Sequence, residues 1–182
     1  MGDHPLTRIV SSGSSRSQTE NQTDMRYDAY LSLIENQIRC AWLYALYLEP
    51  YNSVYVARRL YVESSSSNTL VLKLLSYQLH NAAESELVKN SSSIDVESLY
   101  AEAEWAMEAL STVLASNKWF FGKPTPGFLD ASVFAYTHLL LDSNMGWRED
   151  RLVKSVQKWE NLVQHRERIL EKYSDPQYAQ PL

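Results

Sequence analysis

The chain has 182 residues, 45% hydrophobic and 21% charged, the balance of a soluble globular protein with one domain. Five glycines and six prolines are about half the usual share, too few for the hairpins of a sandwich or barrel, so helices joined by short loops fit better. A net charge of −5 gives no case for nucleic acid, which calls for a basic patch or stripe. A single cysteine, Cys40, excludes an intrachain disulfide framework and a multi-cysteine metal site, and suits a reducing compartment.

Residues 1 to about 24 are rich in Ser, Thr, Gln and Asn and bury too little to offset the entropy of ordering, so a disordered tail is expected there. Arg8 and Arg16 among serines faintly suggest a transit peptide, but Asp3, Glu20 and Asp24 weigh against one. From Tyr27 the spacing of Tyr30, Leu33, Ile34, Ile38, Ala41, Ala45 and Leu48 predicts an amphipathic helix that Pro50 closes. Its second half is apolar on the opposite face too, through Trp42, Leu43, Leu46 and Tyr47. Such a helix is buried on several sides or presents a contact surface.

From Asn52 to Val62 the segment Ala57-Arg58-Arg59-Leu60 favours helix, although the β-branched and aromatic content leaves a strand open. A helix from about Asn68 to Val88 carries Leu72, Leu75, Leu79 and Ala83 on one face, and Lys89 to Ser93 reads as a polar loop. The clearest stripe runs over Val96, Leu99, Tyr100, Ala103, Met107, Leu110 and Leu114, within a helix from Asp95 to Ala115. Ser93 is its expected N-cap, with Asp95 and Glu97 suiting the positive helix end. A loop from Ser116 to Pro126 leads to a helix over Phe128 to Asp142, and one long helix is expected from Glu149 to Tyr173. In that last helix Leu152, Val156, Trp159, Val163, Leu170 and Tyr173 are in register; beyond it a loose tail is expected over residues 175–182. The sum is an all-α bundle of five to seven helices.

No segment spans a membrane. The longest uncharged apolar run, Ala131 to Leu141, falls well short of about 20 residues. The histidines His4, His80, His138 and His165 lie in separate segments, without the i, i+4 spacing of a helical zinc site. His138, in the most apolar helix, reads as a hydrogen-bonded core residue, and Cys40 as an inert core thiol. Glu102, Glu104 and Glu108 read as a solvated helix face. No catalytic, cofactor-binding or metal-binding residue is nominated, and no cofactor is expected. In the stretch 117–131 Gly127 can serve as N-cap, with Asp130 at the third helical position reaching back to its N–H. That places Asp130 to rigidify a buried helix rather than to catalyse.

Trp119-Phe120-Phe121-Gly122 followed by Leu129-Asp130-Ala131-Ser132-Val133-Phe134 resembles the "FFG … P-T-x-L-D-A-x-V-F" signature of the metaxins. More loosely it is similar to the C-terminal helical domain of glutathione transferases. Upstream, Ala29-Tyr30-Leu31-Ser32-Leu33-Ile34-Glu35-Asn36 resembles the "A-Y-x-x-L-I-E-N" opening of the metaxin helical domain and favours the metaxin-2-like, shorter branch. The family's Ser or Thr three before the aspartate is Gly127 here, a serviceable cap. The resemblance implies an all-α, glutathione-transferase C-terminal-like bundle over residues 25–174. Full-length metaxins carry a thioredoxin-like domain first, which the two dozen polar residues before Tyr27 do not supply, so that domain is expected to be absent from this chain.

The function so implied is that of a non-catalytic, peripheral subunit of the mitochondrial sorting and assembly machinery, on the cytosolic face of the outer membrane. Its expected partners are the barrel-forming subunit of that machinery, a sister metaxin-like subunit and β-barrel precursors. Two alternatives stand beside it: the helical domain of a glutathione-transferase-like enzyme whose catalytic first domain is missing, and an assembly module of translation complexes.

Overall fold

The computed structural model describes residues 25–65, 68–89 and 93–173. The tails expected over residues 1–24 and 175–182 lie outside them. Every regular element among the described residues is a helix. Helix α1 covers residues 25–48, with Ile34, Ile38, Ala41 and Ala45 buried as their spacing predicts. Its hydrogen bonds widen to i→i+5 over Ile34–Ile38 and Tyr44–Leu48. Glu49 then turns to extended φ/ψ, and its carboxylate accepts the Asn52 N–H at 2.7 Å. The residue before a proline is biased to that conformation, so α1 stops there.

Helix α2 covers residues 50–62, from Pro50–Asn52 into an i→i+5 stretch over Ser53–Val62; the open question between strand and helix closes in favour of helix. Helix α3, Thr69–Leu87, is capped by Asn68, whose side chain accepts the Leu70 N–H. Of its expected stripe only Ala83 is fully buried. Helix α4, Val96–Leu114, is the central pillar, and Tyr100, Ala103, Met107, Leu110 and Leu114 bury against α1 and the later helices. Its N-cap is Asp95 and not Ser93: Asp95 Oδ1 accepts the Glu97 and Ser98 N–H groups. An aspartate directly before the first turn satisfies two orphan donors, which Ser93 lies too far back to reach.

Helix α5, Phe128–Leu141, ends where Asp142 turns extended and caps a short turn over Ser143–Met145. The single long helix expected from Glu149 to Tyr173 is two helices, α6 at Arg151–Gln157 and α7 at Glu160–Tyr173. Between them the Trp159 N–H bonds to Val156 O, three residues back. The break re-phases the buried face: Leu152 and Val156 point inward from α6, but Leu162, His165 and Ile169 point inward from α7, where an unbroken stripe would have put Val163.

One core joins α1, α4, α5, α6 and α7. A smaller cluster of Leu46, Val56, Ala57 and Met145 lies under α2. Two polar clamps tie α2 to the segment after α5. Asn52 is fully buried; its Oδ1 accepts the Arg148 and Glu149 N–H groups at 2.9 and 3.0 Å, and its Nδ2 donates to Glu149 O at 3.0 Å. Arg59 donates to the carbonyls of Asn144 and Met145, both at 2.8 Å. The left-handed Gly146 (φ 69°) leaves the guanidinium room, since a Cβ there would sit 3.3 Å from Arg59 Nη2.

Candidate functional site

The motif that stands out in the sequence, residues 117–131, joins a turn, a helix start and α7 through hydrogen bonds and ring contacts. After α4 the chain runs extended through Trp119 and then makes a tight turn over Phe120–Gly122. Phe121 takes the left-handed conformation (φ 59°) and Gly122 follows it (φ 64°). For a non-glycine residue that conformation costs about 1–2 kcal/mol, and packing offsets it. Trp119 and Phe120 are driven into the core, while Phe121 swings out to meet Tyr27 and Tyr30 at ring separations of 6.4 and 6.0 Å. The turn therefore ties the start of α1 to the base of α5.

Asp130 sits at the centre of this arrangement, buried to 1% exposure. Its Oδ2 accepts the Gly127 N–H at 2.8 Å, the capping contact that the sequence predicts. Its Oδ1 accepts the Phe120 N–H at 3.1 Å and faces His165 Nε2 at 2.9 Å. His165 is fully buried on α7, edge-on to both Trp119 and Phe120. Burial works to raise the Asp130 pKa, but the His165 hydrogen bond, the Gly127 and Phe120 N–H groups and the His165 charge outweigh it and hold the carboxyl below its ordinary value. Three segments distant in sequence meet on one carboxylate. With aromatic walls around it and no exposed edge, the pair is placed to lock these segments rather than to meet a substrate.

His165 stands among polar neighbours, and its local signal is its spacing, three after Leu162 and four before Ile169 on the buried face of the helix. The need of a buried aspartate for a cationic or N–H partner is the other clue that points to such a residue. His138, expected as a hydrogen-bonded core histidine, is part-exposed, stacks on Phe134 at 5.1 Å, and has an Nδ1 without a hydrogen-bond partner. The core histidine is His165, because α7 is re-phased by the break before it. Cys40, expected in the core, is half-buried, and burial pushes its thiol pKa up, with Arg39 opposing. Glu102 and Glu108 are exposed and Glu104 pairs with Lys158. His80 is exposed beside Tyr47 O, and His4 lies outside the described residues. The structure brings none of these together, and among the described residues no group of three His, Cys, Asp or Glu is arranged to hold a metal.

The surface feature of note is apolar. Tyr51, Val54 and Tyr55 on α2 and Leu70, Leu74 and Tyr77 on α3 are exposed, Leu70 at 76% and Tyr77 at 64%. A groove of about 280 Å³ runs between the two helices, lined by Val54, Ala57, Arg58, Tyr77 and His80 among others. Trp42 and Tyr47 of α1, for which the sequence leaves burial and a contact surface open, are half-buried against each other at 6.3 Å, with Trp42 also edge-on to Tyr136. The unpartnered face thus belongs to α2 and α3.

Residues 103–169, from mid-α4 through most of α7, match the family described as the glutathione S-transferase C-terminal domain. The chain is 32% identical over 130 residues to metaxin-1 of Macaca fascicularis, covering 64% of this chain and 38% of the relative. It is 31% identical over 130 residues to metaxin-1 of Homo sapiens, covering 64% of this chain and 26% of the relative. The chain thus matches well under half the length of either relative. Both names are metaxin-1, so the lean of Leu33-Ile34-Glu35-Asn36 toward the metaxin-2-like branch has no counterpart in them. Asp130 and His165 both fall inside the matched family region. Over these regions the chain is similar to metaxin-1 and to the glutathione S-transferase C-terminal domain, and every regular element among its described residues is helical.

Proposed function

From a metaxin-like helical domain with a bare apolar face, we propose a non-catalytic adaptor that works at the mitochondrial outer membrane as a peripheral subunit of the sorting and assembly machinery. It supports insertion of β-barrel proteins by holding partners: the barrel-forming subunit, a sister metaxin-like subunit and barrel precursors. The similarity to metaxin-1 over 130 residues carries this reading. Two features of the structure support it. Among the described residues the one deeply buried acid–base pair, Asp130 with His165, is walled off and spent on holding segments together. Exposed tyrosines and leucines on α2 and α3 supply the kind of side chain that anchors protein interfaces. No helix among the described residues is long and apolar enough to cross a membrane, so attachment through partners or the membrane surface fits the reading.

The test is made on the native gene product in cells. It should fractionate with mitochondria, be digested by protease added from outside, and co-purify with the barrel-forming subunit. Alkaline extraction should release at least part of it while the barrel stays in the membrane. Depletion should lower newly assembled porin-type barrels before matrix import falls. A wholly cytosolic protein with glutathione-conjugating activity would overturn the proposal in favour of a transferase-like enzyme.

A further inference from the structure

The end of the bundle built by the 117–123 turn, the start of α1 and the end of α7 concentrates positive charge in a chain whose net charge is −5. Arg26, Lys118, Lys123 and Lys172 are all exposed there. Each lies over an aromatic ring, and none is ion-paired with a carboxylate among the described residues: Arg26 over Phe121 at 5.9 Å, Lys123 over Tyr27 at 5.9 Å, and Lys118 and Lys172 both over Trp119 at 5.6 Å. The bundle's other exposed cations are mostly neutralised, as in Arg58–Glu63, Lys89–Glu86, Arg151–Glu97, Lys154–Asp150 and Lys158–Glu104. Among the described residues Asp28 and Glu171 are the exposed carboxylates in the same turns, and there the cations are in excess.

Apolar surface interleaves with this charge. Phe128, the first residue of α5, projects at 66% exposure, and Tyr173 is exposed at the end of α7. Between them Pro126, Gly127, Phe134, Ile169, Leu170 and Tyr173 line an apolar groove of about 400 Å³. Lys123 stands at its edge, with Nζ 4.0 Å from where a Cβ on Gly127 would lie.

We propose that this end of the bundle is an anionic-membrane contact surface, on which Arg26, Lys118, Lys123 and Lys172 meet lipid phosphates while Phe128 and Tyr173 enter the interfacial layer. The observations favour a lipid surface over an acidic peptide because the aromatics project from helix ends rather than line a closed channel, and the cations ring them. Aromatic rings and long cationic side chains with an apolar stem and a polar tip are the groups that settle at a bilayer interface. Charge complementarity commits the surface to anionic lipid. The proposal refines the peripheral placement given above, and rests on that reading only for its setting.

The full chain is tested by co-sedimentation with vesicles of phosphatidylcholine alone and of phosphatidylcholine with phosphatidylglycerol in a two-to-one mixture. Binding is expected to the mixed vesicles only, and to fall as salt is raised. Each cation near an anionic surface is worth roughly fivefold in partitioning, so the double variant Lys118→Glu with Lys123→Glu should bind about 25-fold more weakly or worse. The α3 pair Lys73→Glu with Lys89→Glu, the second two residues past the helix end, changes net charge equally and should bind like the parent. Phe128→Ser should weaken binding without altering its salt dependence. Equal binding to neutral vesicles, no binding to the mixed ones, or an equal loss in the α3 pair overturns the proposal. Soluble polyglutamate competing as well as the vesicles would assign the surface to an acidic protein, and sedimentation without vesicles would assign it to a second copy. Co-purification with the barrel-forming subunit is measured separately, so either reading can fail while the other stands.

Discussion

Asp130 accepts three hydrogen bonds from three segments, and its removal is the most informative single change in the chain. In Asp130→Ala the Gly127 and Phe120 N–H groups and His165 Nε2 all lose their acceptor inside the core. Breaking a buried, hydrogen-bonded pair costs about 3–5 kcal/mol, more than the roughly 1 kcal/mol of an ordinary exposed cap. Urea unfolding should therefore show a midpoint shift of that size with an unchanged slope. The carboxyl also gives the fold an acid limit. Its pKa is lower folded than unfolded, so its contribution is fully present above the ordinary aspartate value. It is lost as pH falls below about 4 and through the folded value. Stability measured stepwise from pH 5 downward should decline more steeply in the parent than in Asp130→Asn. Parallel slopes would show that another group sets the limit.

The helices owe their positions to contacts that their own periodicity does not encode. Helix α2 is short and exposed along its outer face, yet Asn52 and Arg59 bind it to the loop that follows α5. In Asn52→Ala the Arg148 and Glu149 N–H groups lose their buried acceptor, at about 1–3 kcal/mol each. The expected result is a loss of about 2–5 kcal/mol together with faster amide exchange at residues 148 and 149. Faster exchange confined to α2 would place the anchor elsewhere. The break between α6 and α7 follows the same logic, because an uninterrupted helix would carry Val163 inward and leave Asp130 without His165.

At the scale of the whole molecule, the bundle leaves α2 and α3 with one side bare. Val54 and Tyr77 are exposed and line the groove between them, and Tyr51, Tyr55 and Leu70 are exposed on the same two helices, with Arg148 over the Tyr55 ring at 5.0 Å; exposed apolar side chains of this kind drive association. The purified chain should show concentration-dependent sedimentation. The combined change Tyr51→Ser, Tyr55→Ser and Tyr77→Ser should return it to a monomer. Because these side chains are exposed, its melting temperature should stay nearly constant. A parent that remains monomeric at high concentration would count against this face as an interface.

The all-α class, helix α1 with its stop at Pro50, the α4 stripe and the capping role of Asp130 were legible in the residues themselves. Each rests on short-range rules: apolar spacing at the helical period, a proline's bias on its predecessor, a carboxylate within reach of an N–H three residues back. Tertiary structure decided the rest. Ser93 yields to Asp95 as cap on backbone geometry that spacing does not report. The last helix breaks, and the re-phased α7 carries His165 into the core against Asp130, 35 residues away in sequence, while His138 stays part-exposed. The gathering of Arg26, Lys118, Lys123 and Lys172 at one end joins residues up to 146 positions apart. Patterns within one helix cannot contain that proximity, because it arises only when α1, the 117–123 turn and α7 pack around the same aromatic rings.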